Sequence, residues 1–218
     1  MKLDRILGPR VPKDLEASEL KAYRTPTVLF TLSALLLAVS VVLPYWTLNL
    51  KAPQYPDGLT VQAYVNRLEG DVGELEGLNH YVGLASFEDA ALFERSVAVA
   101  SILTLAGLLI AGLFIHSRWV LPLVAPAVLF PLFFLADLQY WLWKFGHNLD
   151  PAAPFADAVG EFTPPVLGPA KIAQFDTLAL PAIGLIVATA AAVLAAVGLW
   201  KHRQAWKPLI ESQEAAET

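Results

Sequence analysis

The chain contains no Cys, and its one Met is Met1. The first absence excludes disulfides, thiolate metal sites, iron–sulfur ligation and covalent haem attachment through Cys-x-x-Cys-His. The second excludes a relay of thioether copper ligands. Charge is also scarce: 16% of the 218 residues are charged against 56% apolar, where a soluble domain carries about 25% charge. There is no phosphate-binding Gly-rich loop, no His-Glu-x-x-His and no Gly-x-Ser-x-Gly. These gaps speak against a soluble enzyme, a disordered chain and a nucleic-acid partner.

What is present is a set of four apolar runs, Thr27–Leu50, Ser96–Ile115, Trp119–Trp143 and Thr177–Trp200. One charged residue, Asp137, falls inside them. About 20 apolar residues suffice to cross a bilayer core of about 30 Å as a helix. The expected fold is therefore an all-α integral membrane protein with four transmembrane helices. Its parts are a cytoplasmic amphipathic segment 1–26, a membrane domain 27–200 with outer loops 51–95 and 144–176, and a cytoplasmic tail 201–218. The first run ends in bulky Leu43-Pro44-Tyr45-Trp46 and reads as a retained anchor rather than a cleaved signal.

Orientation follows from the basic residues. Residues 1–26, 116–118 and 201–218 hold 10 Lys/Arg, and the two loops hold 5 Lys/Arg with 12 Asp/Glu. Basic loops stay inside, so both termini are expected in the cytoplasm of a bacterial inner membrane. Trp46, Trp141 and Trp143 then mark the outer ends of the spans. Trp119, Trp200 and Trp206 mark the inner ends, at headgroup depth.

Local patterns give further expectations. Asp14–Arg24 carries acids early and bases late, as a helix dipole favours. Tyr55-Pro56-Asp57-Gly58 predicts a turn, and the alternation over Leu59–Val65 predicts a strand. Gly70–Gly83, with four glycines among acids, reads as loop. Ser86-Phe-Glu-Asp89 resembles a capping box that starts the second span helix. Pro122, Pro126 and Pro131 can kink the third span, and the small residues of Ala182–Gly198 suit close helix packing. Thr163–Pro169 is expected to be stiff and extended over the outer face.

Chemistry is expected in the two outer loops, which emerge beside one another as a small cap. His80 and His147 lie one in each loop, next to Asn79 and Asn148, with Glu74, Glu76 and Asp150 nearby. Imidazole is the commonest ligand for copper or zinc. The three-residue turn between spans two and three makes those spans antiparallel neighbours. The two histidines are thus expected close together, within about 5 Å for a shared metal. Unrelated loop histidines bonded to backbone are the alternative. His116 and His202 read as basic anchors at the inner surface. Asp137 sits near the outer end of span three with Tyr140 and Trp141, either as a functional ionisable group or as a structural hydrogen-bonding one.

The segments Leu78-Asn79-His80-Tyr81-Val82-Gly83, Asp137–Trp143, Gly146-His147-Asn148-Leu149-Asp150-Pro151 and Phe162–Gly168 together resemble small four-span membrane proteins. Those proteins accompany bacterial copper-enzyme systems, notably the accessory genes of nitrous-oxide reductase. The resemblance implies a non-enzymatic role in maturing or docking an extracytoplasmic copper enzyme. In that role Asn79, Tyr81, Asn148 and Asp150 would be partner contacts and copper the metal. The missing soft ligands set this chain apart from a copper(I) chaperone. The alternatives are a structural or quinone-interacting subunit of a respiratory complex, using Asp137, Tyr140 and Trp141, and, third, a small-solute transporter.

Overall fold

The computed structural model describes residues 7–9, 11, 17–172 and 174–217. Among these residues the elements are, in chain order, α1 Ala17–Ser40, β1 Trp46–Ala52, β2 Tyr55–Ala63, β3 Leu68–Gly70, α2 Val72–Val82 and α3 Leu92–Ala111, then α4 Val120–Gly146, α5 Ala156–Val159, β4 Gly168–Ile172, β5 Phe175–Pro181 and α6 Ile183–Glu217. Among the described residues four helical segments are long and apolar enough to cross a membrane: Leu20–Ser40, Leu92–Phe114, Val120–Gly146 and Ile183–Ser212. These are the marks of a multi-pass membrane protein. The all-α expectation is corrected by the sheet. Trp46–Leu50 and Thr177–Pro181, assigned to spans one and four by hydropathy, form adjacent strands instead.

The chain divides into two compact units. One comprises 1–39, 100–131 and 187–218; the other comprises 40–99 and 132–186. In the first, Phe30, Leu109, Val120, Val124, Ala188 and Ala195 are fully buried. The small-residue run of α6 packs closely: the Ser33 hydroxyl donates to the Ala191 carbonyl at 2.7 Å. A methyl on Gly198 would lie 2.8 Å from the Phe30 ring. The helix expected over Asp14–Arg24 is the start of α1 from Ala17 onward, and residues 14–16 of it lie outside the described residues. Helix α4 continues through Pro126 and Pro131.

The second unit carries an antiparallel sheet in the order β3-β2-β1-β5-β4. Its register makes it two-faced, because successive side chains alternate sides. Leu48 pairs with Val61 and Ala179, and Trp46 pairs with Ala63. On this face Trp46, Leu59, Val61, Ala63 and Ala179 are buried. They pack against Phe134, Leu138 and Leu142 of α4 and against Leu75 and Leu78 of α2. The other face bears Thr47, Asn49, Lys51, Thr60, Gln62, Lys171, Asp176, Leu178 and Leu180, all half-buried or exposed. The strand expected from Leu59 is present but starts at Tyr55, and the turn falls at Pro53-Gln54 rather than Tyr55–Gly58.

Two local expectations fail for identifiable reasons. Residues 72–82 form a helix, not a loop: Leu75, Asn79 and Val82 recur on one buried face, while Gly73 and Gly77 face open space. The Ser86 hydroxyl does cap, accepting the Glu88 N–H at 3.1 Å, but it caps a single 3₁₀ turn over Phe87–Asp89. The span helix begins at Leu92. Its Arg95 guanidinium turns back to the carbonyls of Asn66, Phe87, Glu88 and Ala90.

Candidate functional site

The candidate site is built from the two long connections of the sheet-bearing unit. Helix α2 ends at Gly83, whose φ of 89° is the left-handed cap that glycine adopts freely. The Gly83 carbonyl accepts the Asp150 N–H at 2.7 Å, and the Tyr81 carbonyl accepts the Phe155 N–H at 3.0 Å. A methyl at position 83 would meet the Asp150 carbonyl at 2.8 Å. The two loops are therefore joined by backbone bonds, which is the part of the expected cap that the geometry contains.

Each histidine has its own set of neighbours. His80 is exposed, and its ring meets Tyr81 edge-on with centroids 6.2 Å apart. His147 is stacked on Trp143, and its Nδ1–H donates to the Trp143 carbonyl at 2.9 Å. That bond uses the Nδ1 proton, and Nε2 can pair with a carboxylate only when it carries a proton as well. Nε2 lies 3.9 Å from a Glu161 carboxylate oxygen. The partner that the fold supplies to His147 is thus Glu161, a residue the sequence did not single out. Among the described residues no group of three or more His, Asp or Glu is placed to hold a metal ion.

The other named residues divide into exposed and structural ones. Tyr81 and Tyr140 are each about half exposed, at 54% and 50%. Asn148 donates to the Lys144 carbonyl at 2.6 Å, and the Asp150 carboxylate accepts the Ala152 N–H at 2.9 Å. Both serve local turns. Asn79 is buried at 4% exposure with its Nδ2 unpaired, while its carbonyl accepts the N–H groups of Gly83 and Leu84. Asp137 is half-buried on α4. Trp141, one turn on, has its indole N–H buried without a partner, and Lys144 Nζ lies 4.5 Å above its ring.

Two positioning residues escaped the sequence reading. Gln139 donates to the Pro164 carbonyl at 3.0 Å and accepts the Val166 N–H at 2.8 Å. The Trp46 indole donates to the Val166 carbonyl at 2.6 Å. Together they hold the proline-rich segment extended, as its composition implied. No periodic signal marks Gln139; its one hint is an amide among apolar neighbours.

In the other unit, His116 and His202 are not surface anchors. His116 stacks on Trp206 with centroids 3.7 Å apart, and His202, 3% exposed, lies 5.9 Å from His116. Tyr23 closes the cluster edge-on to Trp206 at 5.0 Å. Burial holds the His116 imidazole below the ordinary histidine pKa. Interleaved Lys and Arg hid this cluster, because charge at 201 and 203 masks the helical period of His202 and Trp206.

No protein-family model matches the chain, and neither a curated protein nor a solved structure does.

Proposed function

We propose that the protein is a non-enzymatic accessory protein of the bacterial cytoplasmic membrane. Its sheet-bearing unit stands on the outer face and docks an extracytoplasmic metalloenzyme. The carrying observation is the second face of the sheet. One face is closed by α4 and α2, while Thr47, Asn49, Thr60 and Gln62 form a polar field beside exposed Leu178 and Leu180. A polar field with a small apolar strip matches the mixed character of non-obligate interfaces. The edges are poor templates for strand addition: β3 is three residues long, and β4 carries Pro169 and Lys171. Docking therefore uses the face.

The loop motifs imply a copper enzyme such as nitrous-oxide reductase as the partner class. Exposed His80 and the His147–Glu161 pair would be the contacts nearest a metal or its carrier. The test is the copper content of that enzyme, purified from cells with and without this protein. Loss of copper on deletion, restored by the native chain but not by Asn49→Arg/Gln62→Arg, supports the reading. Unchanged copper on deletion overturns it.

A second reading, a quinone-interacting subunit, is favoured by the unpaired Trp141 indole N–H one turn from Asp137. A quinone carbonyl would accept from it. Displacement of a bound quinone by Trp141→Phe would distinguish this reading from docking.

A further inference from the structure

On the unit that holds both termini, α4 and α6 leave a groove of about 430 Å³ between them. Its walls are Leu121, Ala125, Val128 and Leu129 from one helix and Ala196, Leu199 and Trp200 from the other, with Arg203 as its charged member. The spacing explains the shape. Positions 121, 125, 128 and 129, and positions 196, 199, 200 and 203, each line one face of a helix. Small residues at 125 and 196 leave the space between the larger ones.

We propose that this groove binds one anionic glycerophospholipid, with an acyl chain along its walls and the phosphate at Arg203. The depth is right. Arg203 lies 20 residues beyond Ile183, the first residue of α6. At 1.5 Å per residue that is roughly 30 Å, the thickness of the hydrocarbon core. The guanidinium thus sits at the boundary while Ala196 lies about 10 Å inside it. Spans three and four of a four-span chain run in opposite senses, so Leu121 and Arg203 share one end of the groove. Trp119 and Trp200, exposed at 44% and 57%, stand at the same level, where indoles meet headgroups.

Charge selects the headgroup. Arg203 is exposed and makes no hydrogen bond or ion pair among the described residues. Lys201 and Lys207 flank it in sequence on α6, and Arg118 lies just before α4, at the same end of the antiparallel pair. The nearest following acid is Glu211, which pairs with Lys207 at 3.5 Å. A guanidinium binds phosphate through parallel N–H donors. The surrounding cations favour a headgroup with net negative charge over one that also carries an ammonium. Apolar walls alone would accept any acyl chain; the cation at the boundary makes the choice.

The test uses the full chain in detergent and counts retained lipids by native mass spectrometry. Phosphatidylglycerol and phosphatidylcholine of identical acyl chains are titrated separately. The wild type should retain one phosphatidylglycerol at about a tenth of the concentration that phosphatidylcholine needs, because both carry the phosphate but only the choline lipid brings an ammonium to the cationic boundary. Arg203→Gln should remove that preference. Ala196→Phe, which fills the groove and keeps the cation, should remove binding of both. Equal retention of the two lipids by the wild type would overturn the assignment, as would wild-type retention by a folded Ala196→Phe variant. Displacement by inorganic phosphate alone would show a free-anion site and overturn it too.

Discussion

Replacing Gly184 by alanine tests the joint at which the sheet returns to the membrane. The Gly184 N–H donates to the Pro44 carbonyl at 2.7 Å, and the Ala182 N–H donates to the Tyr45 carbonyl at 3.0 Å. An alanine methyl would stand 2.7 Å from the Pro44 oxygen, 2.7 Å from Tyr45 Cδ2 and 2.8 Å from the Leu43 oxygen. Two of the three neighbours are backbone, so the Leu43–Tyr45 turn must move. Helix propensity favours alanine by about 0.5–1 kcal/mol. Overpacking costs about 1–3 kcal/mol, and stretching the Pro44 bond costs about 0.5–1.5 kcal/mol more. The net expectation is destabilisation of about 1–3 kcal/mol, the two costs outweighing the propensity gain. Gly107 supplies the control, because nothing lies within 4 Å of its added methyl. Gly107→Ala should be neutral or stabilising. The assay is thermal unfolding of purified protein in detergent, followed by tryptophan fluorescence. At this chain length each kcal/mol moves the midpoint by roughly 2–4 °C. A Gly184→Ala midpoint at or above wild type would refute the close passage of α6 against the turn after α1.

Three further outcomes are expected. Gln139→Leu strips the Val166 N–H and the Pro164 carbonyl of their partner, costing about 1–3 kcal/mol, and should speed protease cleavage within residues 160–168. Burial lowers the His116 pKa, so the unfolded chain takes up the proton first as the pH falls. The stability held by the neutral ring should be complete above about pH 6.5 and lost below it, and His116→Phe should flatten that part of a midpoint-against-pH curve. Asp137→Asn keeps the shape and removes the charge, so it should insert and fold normally but impair partner support if the carboxylate is used; full support by this variant would remove Asp137 from the site.

The legible and illegible parts of the fold have separate physical causes. Membrane spans announce themselves because few charges can be left in hydrocarbon, and four helices apolar enough to cross a membrane overlap the four expected runs. Their ends were not legible. Trp46–Leu50 and Leu178–Pro181 continue the apolar runs of spans one and four, and hydropathy cannot tell a buried strand from the end of a span. Pro44 was the available sign of a break. Strand β2 was readable because Leu59, Val61 and Ala63 alternate with Thr60 and Gln62. Helix α2 was missed because its glycines occupy the open face and outweighed the Leu75–Asn79–Val82 stripe. The loops of the candidate site were rightly expected together, but the pairing of His147 with Glu161 depends on a turn after α5 that no spacing rule encodes.

The central claim, an outward-facing sheet whose polar face is open, has a direct test because the chain lacks Cys and any introduced thiol is unique. Gln62→Cys and Asn49→Cys place that thiol on the open face, and Ser212→Cys places it near the end of α6. Intact cells are treated with a membrane-impermeant maleimide before and after permeabilisation. Labelling is expected at 62 and 49 in intact cells, and at 212 only after permeabilisation. Labelling at 212 in intact cells, with 62 and 49 silent until permeabilisation, would contradict it.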